Sequence, residues 1–469
     1  MIVKYTCMTI LLCVCGMYKS LSAAGQPNII VIVSDDLGYS DLSYTGNTDY
    51  TTPEIDALIE SGIWFSNGYV SHPYCSPSRA GIMTGRYQQR FGHEHNVPWS
   101  PENPLFGTSL DETLMSEVFQ DNGYATAVIG KWHLGDHPHF TPPQRGADHY
   151  FGFSSGGYNY YGATNKKKPG DRIMRNDEPV APGDITYLTD DFTDEAVAFI
   201  RQNTQKPFFL YLAYNAVHAP NQATQYYLDQ TEHIVEPDRS VYAAITRAMD
   251  EGIGRVIDAL ERYSLRDNTL VVFINDNGGR KEVAYNRPFR GHKGMLYEGG
   301  IRVPFCMSWP KHIFPGGTYD ALVSGLDIMP TALAVAGINT DDTARPFDGV
   351  NLIPYLIAEP GRAPHEQLFW RVIGGQGWAV RTWRYKLVKS EVKDELELYD
   401  MQNDPGEMRD IANQNRNLVG NLRRQYFAWN RELIEPIWSD DHEKNCLGDW
   451  DALKQAREKA LPAGEKAGN

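Results

Sequence analysis

Cysteine is scarce in this chain of 469 residues: there are six, and Cys7, Cys13 and Cys15 crowd the N-terminus. Cys75, Cys306 and Cys446 are then too few to build a disulfide scaffold, and a chain of this length can bury enough apolar surface to need none. Long apolar runs are also scarce. The stretch from Thr9 to Met17 is far shorter than the roughly 20 residues that span a bilayer, and no other segment reads as a membrane span. Positive charge is in deficit, with 44 Lys+Arg against 59 Asp+Glu and a net charge of −15. Such a chain repels nucleic acid and anionic lipid at long range, so any anionic ligand would need a local cationic pocket. Internal repeats and low-complexity tracts are absent. What remains is ordinary globular material, 42% hydrophobic and 22% charged.

The first 24 residues stand apart. Lys4, the apolar run and the small residues Ser22-Ala23-Ala24 have the layout of a secretory signal peptide, cut after Ala24. The alternative is a retained membrane anchor. Export is expected, to periplasm or medium. Loss of the leader would leave three cysteines, an odd number for an oxidising compartment, so at least one is free or modified. Cys306, in Val303-Pro-Phe-Cys-Met307, reads as a packed core thiol, and Cys446 lies in a polar tail.

Residues 25–360 alternate buried-strand runs with helical stretches. The strand candidates are Pro27–Val33, Tyr124–Gly130, Pro207–Tyr214 and Thr269–Asn275; the helical ones include Thr52–Gly62, Leu110–Asn122, Thr189–Gln202 and Val241–Tyr263. Continuous β-branched runs suit strands covered on both faces, and the alternation predicts an α/β sandwich around a large, mostly parallel sheet flanked by helices. Residues 361–469 read differently: four short strand-like runs between Gln367 and Tyr399, then a helix near Asn415–Leu433 and a polar tail from about Ser439. That predicts a C-terminal subdomain with a small antiparallel sheet and a covering helix.

Three strand candidates end in functional-looking residues, Asp35-Asp36, Lys131-Trp-His133 and Asp276-Asn277, and a fourth runs on to His218. Ligands in open α/β sheets bind beyond the carboxyl ends of the strands, so these segments are expected to meet in one crevice. Asp35, Asp36, Asp276 and Asn277 offer only oxygen, the donor set of a hard divalent cation; singly, each pair is equally a turn former. Cys75-Ser-Pro-Ser-Arg79, followed by Ala-Gly-Ile-Met-Thr-Gly85, reads as a helix with Pro77 in its first turn, Cys75 at its N-terminus and Gly85 at its stop. A plain buried thiol and a thiolate phosphatase are the competing readings. The second wants Arg six residues after Cys, where this chain has Gly81.

The segment from Cys75 through Ala-Gly-Ile-Met-Thr-Gly-Arg86 resembles the signature of the formylglycine-dependent (type I) sulfatases of the alkaline phosphatase superfamily, and Gly130-Lys-Trp-His-Leu-Gly135 resembles their second signature. The resemblance continues through Asp276-Asn-Gly-Gly279, Gly291-His-Lys-Gly294, Tyr297–Pro304 and Leu398–Glu407, nearly the whole chain after the leader. It implies an alkaline phosphatase-like fold and hydrolysis of sulfate esters. It also implies conversion of Cys75 to 3-oxoalanine (formylglycine) by a formylglycine-generating or anaerobic sulfatase-maturating enzyme, and one Ca²⁺ held by Asp35, Asp36, Cys75, Asp276 and Asn277. One hydroxyl of the hydrated aldehyde would attack sulfur, and loss of a proton from the other would expel sulfate. By the same resemblance Arg79 holds the hydrate, Lys131 and Lys293 bind sulfate oxygens, His133 takes the hydrate proton, and His218 donates to the leaving oxygen. Taken alone, each of these Lys and His residues is an ordinary surface or structural group.

Arg90, His93, His95 and His292 are candidate substrate contacts, with structural roles as the alternative; His93-Glu-His95 does not have the spacing of a helical zinc site. The Gly-, Ser-, Tyr- and Lys-rich segment Phe153–Lys168 reads as a pocket rim, and His137 and His139 as loop surface. The aromatic fraction of 12% suits a carbohydrate substrate. A phosphomonoester or phosphonate ester hydrolase of the same fold, or a non-enzymatic binder of sulfated glycans, is the competing reading.

Overall fold

The computed structural model describes residues 25–163, 168, 170–339, 345–357, 362–390 and 395–439. The expected leader over residues 1–24, the segment from residue 440 and Cys446 lie outside the described residues.

A ten-stranded sheet forms the centre. Its middle is the parallel set Thr269–Asn275, Asn28–Ser34, Phe208–Ala213, Ala125–Lys131 and His149–Phe153, in that spatial order. The first four of these are buried at every position, which explains their uninterrupted apolar sequence. Register runs Val33 against Ala213 and Ile274, so the strands end level with one another and their following residues emerge at one edge. Beyond Thr269–Asn275 the sheet turns antiparallel with Phe305–Ser308, then continues to Ile63–Phe65 and Gly317–Tyr319. Cys306 lies in the antiparallel strand opposite Phe273; burial pushes its thiol up to about 12, as expected of an inert core group.

Two apolar layers cover the faces. On one, the helices Leu188–Gln202 and Pro237–Arg262 pack over Ile30, Ile32, Leu210 and Leu212. On the other, the helices Cys75–Thr84 and Ile328–Ala336 pack over Ile29, Val31 and Val33. The C-terminal sheet is Gln367–Val372, Gly377–Thr382, Tyr385–Lys389 and Leu396–Asp400, all antiparallel. The helix Arg416–Asn430 covers it, with Tyr426 stacked on Trp378 at 4.3 Å and Trp429 on Phe369 at 5.0 Å. The helical expectation over Leu110–Asn122 shrinks to Met115–Asp121, and the long helix starts earlier than expected, because Pro237 supplies its first turn.

Candidate active site

The four expected segments do converge. Asp35 and Asp36 follow the first strand, Lys131 ends its own strand, Asp276 and Asn277 follow theirs, and Asp35, Asp36, Asp276 and Asn277 have no exposed surface. The backbone binds them together: Asp276 donates to the Ser34 carbonyl and Asp35 to that of Ala216, in the segment that carries His218. Cys75 opens the helix Cys75–Thr84, every residue of which is buried, and its thiol lies 3.7 Å from Asp35 Oδ1. Arg79, one turn on, places Nε 2.8 Å from Asp276 Oδ2 and donates through Nη1 to the Lys131 carbonyl.

Three carboxylates thus face three close cations. Lys131 Nζ is 2.6 Å from Asp35, Lys293 Nζ is 2.6 Å from Asp36, and Arg79 bonds Asp276. His218 Nε2 is 3.7 Å from Asp36 Oδ2. The pairing does not close. Asp36 Oδ2, Asp276 Oδ1 and Asn277 Oδ1 are buried with no hydrogen-bond partner. Buried acceptors left unpaired cost about 1–3 kcal/mol each, so an all-oxygen set left open in this way fits a hard cation. Asp35, Asp36, Cys75 and His218 bring one donor atom each to within 4.8 Å of one another.

Electrostatics follow from the same crowding. Burial raises Asp35, but Lys131, His218, Arg79 and Lys293 outweigh it and hold its carboxyl far below the usual range. Burial and the neighbouring Asp35 push Asp276 up to about 7, despite Arg79 and Lys131. Burial also pushes the Cys75 thiol up to about 12 against the pull of Lys131 and Lys293. A thiol held neutral is a poor nucleophile, which weighs against a thiolate mechanism. His133 is held well below its ordinary value by burial and then by Lys131, and His218 is brought to about 4 by burial although Asp35 and Asp36 oppose it.

Hydrogen bonds set the ring orientations. His218 Nδ1 is 2.7 Å from the Ala219 carbonyl, so it carries the proton and Nε2 faces the carboxylates. Asp36 and His133 have φ of 65° and 60°, a left-handed backbone that non-glycine residues hold only where surroundings enforce it. The Ser76 hydroxyl donates to the His133 carbonyl at 2.7 Å and so ties His133 to the Cys75 helix.

Arg90, His93 and His95 make contacts within the protein that fit a structural role, and His93 is bonded to Ser76, the residue after Cys75. Arg90 makes a two-pronged ion pair with Asp348 and a second with Glu432 at 3.0 Å, fastening the segment to the C-terminal part. His93 is fully buried, bonded to Ser76 and Thr108, with its ring edge-on to Trp438 at 4.7 Å. His95 is 5% exposed, and its carbonyl accepts from the Trp438 indole. His292 lies beside the cluster, its Nδ1 bonded to the Lys293 carbonyl at 2.9 Å.

Sequence reasoning passed over two features. Arg280 reaches Asp36 at 3.8 Å and bonds Asn221; its place three residues after Asn277 was the available signal. Gly156 and Gly157 lie against the site histidines. A Cβ on Gly156 would sit 2.7 Å from the His133 ring, and one on Gly157 3.1 Å from that of His218. Of the rim expected over Phe153–Lys168, residues 164–167 lie outside the described residues, and Gly156 and Gly157 form the seat of both imidazoles.

A mostly parallel sheet with an acidic, cation-flanked cluster beside a helix-initial cysteine defines a class, and comparison names it. The family model for Sulfatase matches residues 27–338, and that for the C-terminal part of N-sulphoglucosamine sulphohydrolase matches residues 291–429. The chain belongs to the sulfatase family, within the alkaline phosphatase superfamily, and is a hydrolase of sulfate esters. Among its relatives is human N-acetylgalactosamine-6-sulfatase, 34% identical over 370 residues, covering 74% of this chain and 69% of that one. An uncharacterized sulfatase of Escherichia coli K12, YdeN, is 34% identical over 404 residues, with the same coverage. The crystal structure of Ps i-CgsB in complex with k-i-k-neocarrahexaose superposes with a TM-score of 0.83 at 35% identity, covering 94% of this chain and 99% of that one.

Proposed function

We propose that the protein is an exported sulfatase acting on a sulfated polysaccharide, with Cys75 converted to formylglycine by a maturating enzyme and one calcium ion held by Asp35, Asp36, Asp276 and Asn277. The observation that carries this reading is the set of three buried oxygens without a hydrogen bond on Asp36, Asp276 and Asn277, in a cluster whose Asp35 lies against Cys75. The modified residue supplies a nucleophile that can release sulfate without hydrolysis at sulfur, and the ion supplies positive charge for a sulfate oxygen.

The chain's own groups have separable tasks. Lys131, fully buried against Asp35, and Lys293, half-buried against Asp36, are the donors for sulfate oxygens. Arg79, fixed by Asp276 and the Lys131 carbonyl, fixes the position of residue 75 one turn before it. His133 stays neutral because burial and Lys131 disfavour its charged form, so its unpartnered Nδ1 can accept a proton. His218, oriented by the Ala219 carbonyl, presents Nε2 to the leaving oxygen; a bound sulfate ester brings the negative charge that favours its protonated form. The neocarrahexaose held by the 35% identical relative favours a sulfated galactan chain as substrate.

Mass spectrometry of the Cys75 peptide from protein matured in its host, together with turnover of matched sulfate and phosphate monoesters, tests the proposal. The aldehyde at residue 75 and a preference for sulfate are expected. A thiol at residue 75 in fully active protein, or a preference for phosphate, would overturn it.

A further inference from the structure

Lys293 lies within residues 276–297, which form neither helix nor strand, so individual contacts set its place against Asp36. Gly291 and Gly294, with φ of 86° and 88°, turn the chain on either side of it. The tip of the loop is held through its backbone. Lys293 donates to the Gly279 carbonyl at 3.1 Å and Gly294 to that of Pro73 at 3.0 Å, which tie it to the Asp276-Asn277 segment and to the residues before Cys75. The stem is held differently. The Gly299 amide donates to the Arg290 carbonyl at 2.7 Å and closes the two ends of the loop, so tightly that a Cβ on Gly299 would collide with the Gly291 carbonyl oxygen.

From this closed base the half-buried Arg290 side chain reaches the C-terminal sheet, where four groups surround it. Its guanidinium lies 3.9 Å over the Tyr297 ring. Nη1 donates to the Tyr399 hydroxyl at 2.8 Å and to the Glu407 carbonyl at 3.2 Å, and Nη2 is 4.0 Å from Glu397 Oε1. The Tyr297 hydroxyl donates to the other Glu397 oxygen, so both sides of the stem meet the strand Leu396–Asp400. Glu397 and Tyr399 share one face of that strand, and Tyr399 belongs to the core of the main sheet. Leu398, on the opposite face, packs with Leu422 and Tyr426 of the helix Arg416–Asn430. A planar guanidinium held between a ring face and two acceptors has a fixed direction, which a flexible ammonium would not share.

We propose that Arg290 is a positioning residue for Lys293: through it the C-terminal subdomain sets the ammonium against the carboxylate cluster, so that the small antiparallel sheet completes the active site. The proposal rests on the reading of Lys293 as a donor to sulfate and adds to it the group that places that donor.

The test is a double-mutant cycle in full-length matured protein, with the k-i-k-neocarrahexaose of the 35% identical relative as substrate. Arg290→Met should lower kcat/KM about tenfold, and Tyr399→Phe, which removes a single hydroxyl, about threefold, with a melting temperature within a few degrees of wild type. Arg290→Lys should recover only part of the loss. In a Lys293→Ala background neither Arg290→Met nor Tyr399→Phe should cost more than about twofold, because their effect passes through the ammonium already removed. Leu422→Ala loosens the same subdomain from its far face; it should lower the melting temperature and leave kcat/KM within about twofold. In crystals of Arg290→Met, Lys293 Nζ should be displaced by about 1 Å or more from its place in crystals of the wild type. A tenfold loss from Arg290→Met in both backgrounds, no loss in the wild-type background, an equal loss from Leu422→Ala, or an unmoved Lys293 would overturn the proposal. Full activity of Lys293→Ala, or no sulfate release from the hexaose by the wild type, would instead contradict the proposed function, and the crystals would still decide what places Lys293.

Discussion

Two buried charge clusters in this protein are built from the same residue types and do opposite things. In the active site Asp35, Asp36 and Asp276 face Lys131, Lys293 and Arg79, and two of the carboxylate oxygens, Asp36 Oδ2 and Asp276 Oδ1, accept no hydrogen bond among the described residues; the ion pairs that reach Asp36 Oδ2 are 3.7 Å or longer. Where the C-terminal sheet docks on the main sheet, Lys386 sits between Glu298 and Glu407 at 2.9 and 2.8 Å. There each carboxylate oxygen has a close partner: the Tyr69 hydroxyl donates to Glu298 Oε2 at 2.8 Å, the Glu298 amide donates to Glu407 Oε2 at 2.7 Å, and Glu407 Oε1, without a hydrogen bond, has the Lys386 ammonium at 2.8 Å. The closed cluster holds two parts of the chain together, and the open one keeps donor capacity for something that is not protein. Satisfaction of each oxygen, more than the number of charges, separates a structural ion network from a functional one.

The largest expected effect sharpens this contrast. Asp276→Asn removes a metal-type oxygen and the partner of Arg79, and should lower kcat/KM for a sulfate ester by about 10³-fold. Thermal unfolding of the metal-free protein should show only a modest loss of stability, because Arg79 loses its 2.8 Å partner but keeps Asp35 at 3.7 Å, and the repulsion between Asp35 and Asp276 is relieved. Lys386→Met is the mirror experiment: stability should fall by about 3–5 kcal/mol, measured by denaturant unfolding, while kcat per folded molecule is retained.

The closed cluster also has a pH signature. Burial raises Glu298, but Lys386, Arg381 and Arg302 outweigh it and bring its carboxyl to about 2, below the 4.5 of a free glutamate. A folded-state value lowered in this way contributes stability that is complete above about 4.5 and is lost as pH falls towards 2, up to about 3 kcal/mol. Glu407 is pushed the other way, to about 7, by burial and by Glu298, so it titrates in a separate window. Glu298→Gln should flatten the acid limb of stability between pH 4.5 and 2; an unchanged limb would remove Glu298 from the account.

The smallest effect concerns placement alone. Gly156→Ala puts a methyl against the His133 ring and should lower kcat about tenfold, with a melting temperature within a few degrees of wild type. An unchanged kcat would show that the seat of His133 has room to spare.

Much of this architecture was legible from residue order. The runs Asn28–Ser34, Phe208–Ala213 and Thr269–Asn275 are unbroken because both faces of the sheet are covered, and their polar ends mark the crevice. The C-terminal hairpins were legible because turn residues separate short apolar runs. The strand Phe305–Ser308 read only as a place for a packed thiol, since a run of four residues does not reveal an antiparallel direction. The seating of His133 and His218 on Gly156 and Gly157 was hidden, because a glycine signals permission and not what approaches it. Arg90 and His93 looked functional beside a catalytic motif. Their partners, Asp348, Glu432 and Trp438, lie hundreds of residues away and only the fold brings them near.

Calcium titration of the metal-free, full-length protein, followed by calorimetry and by thermal unfolding, tests the central claim most directly. One ion per chain is predicted, with a rise in melting temperature, and both signals should be lost in an Asp36→Asn, Asp276→Asn double variant that remains folded. Binding of equal strength in that variant, or a wild type that neither binds calcium nor gains stability from it, would contradict the account.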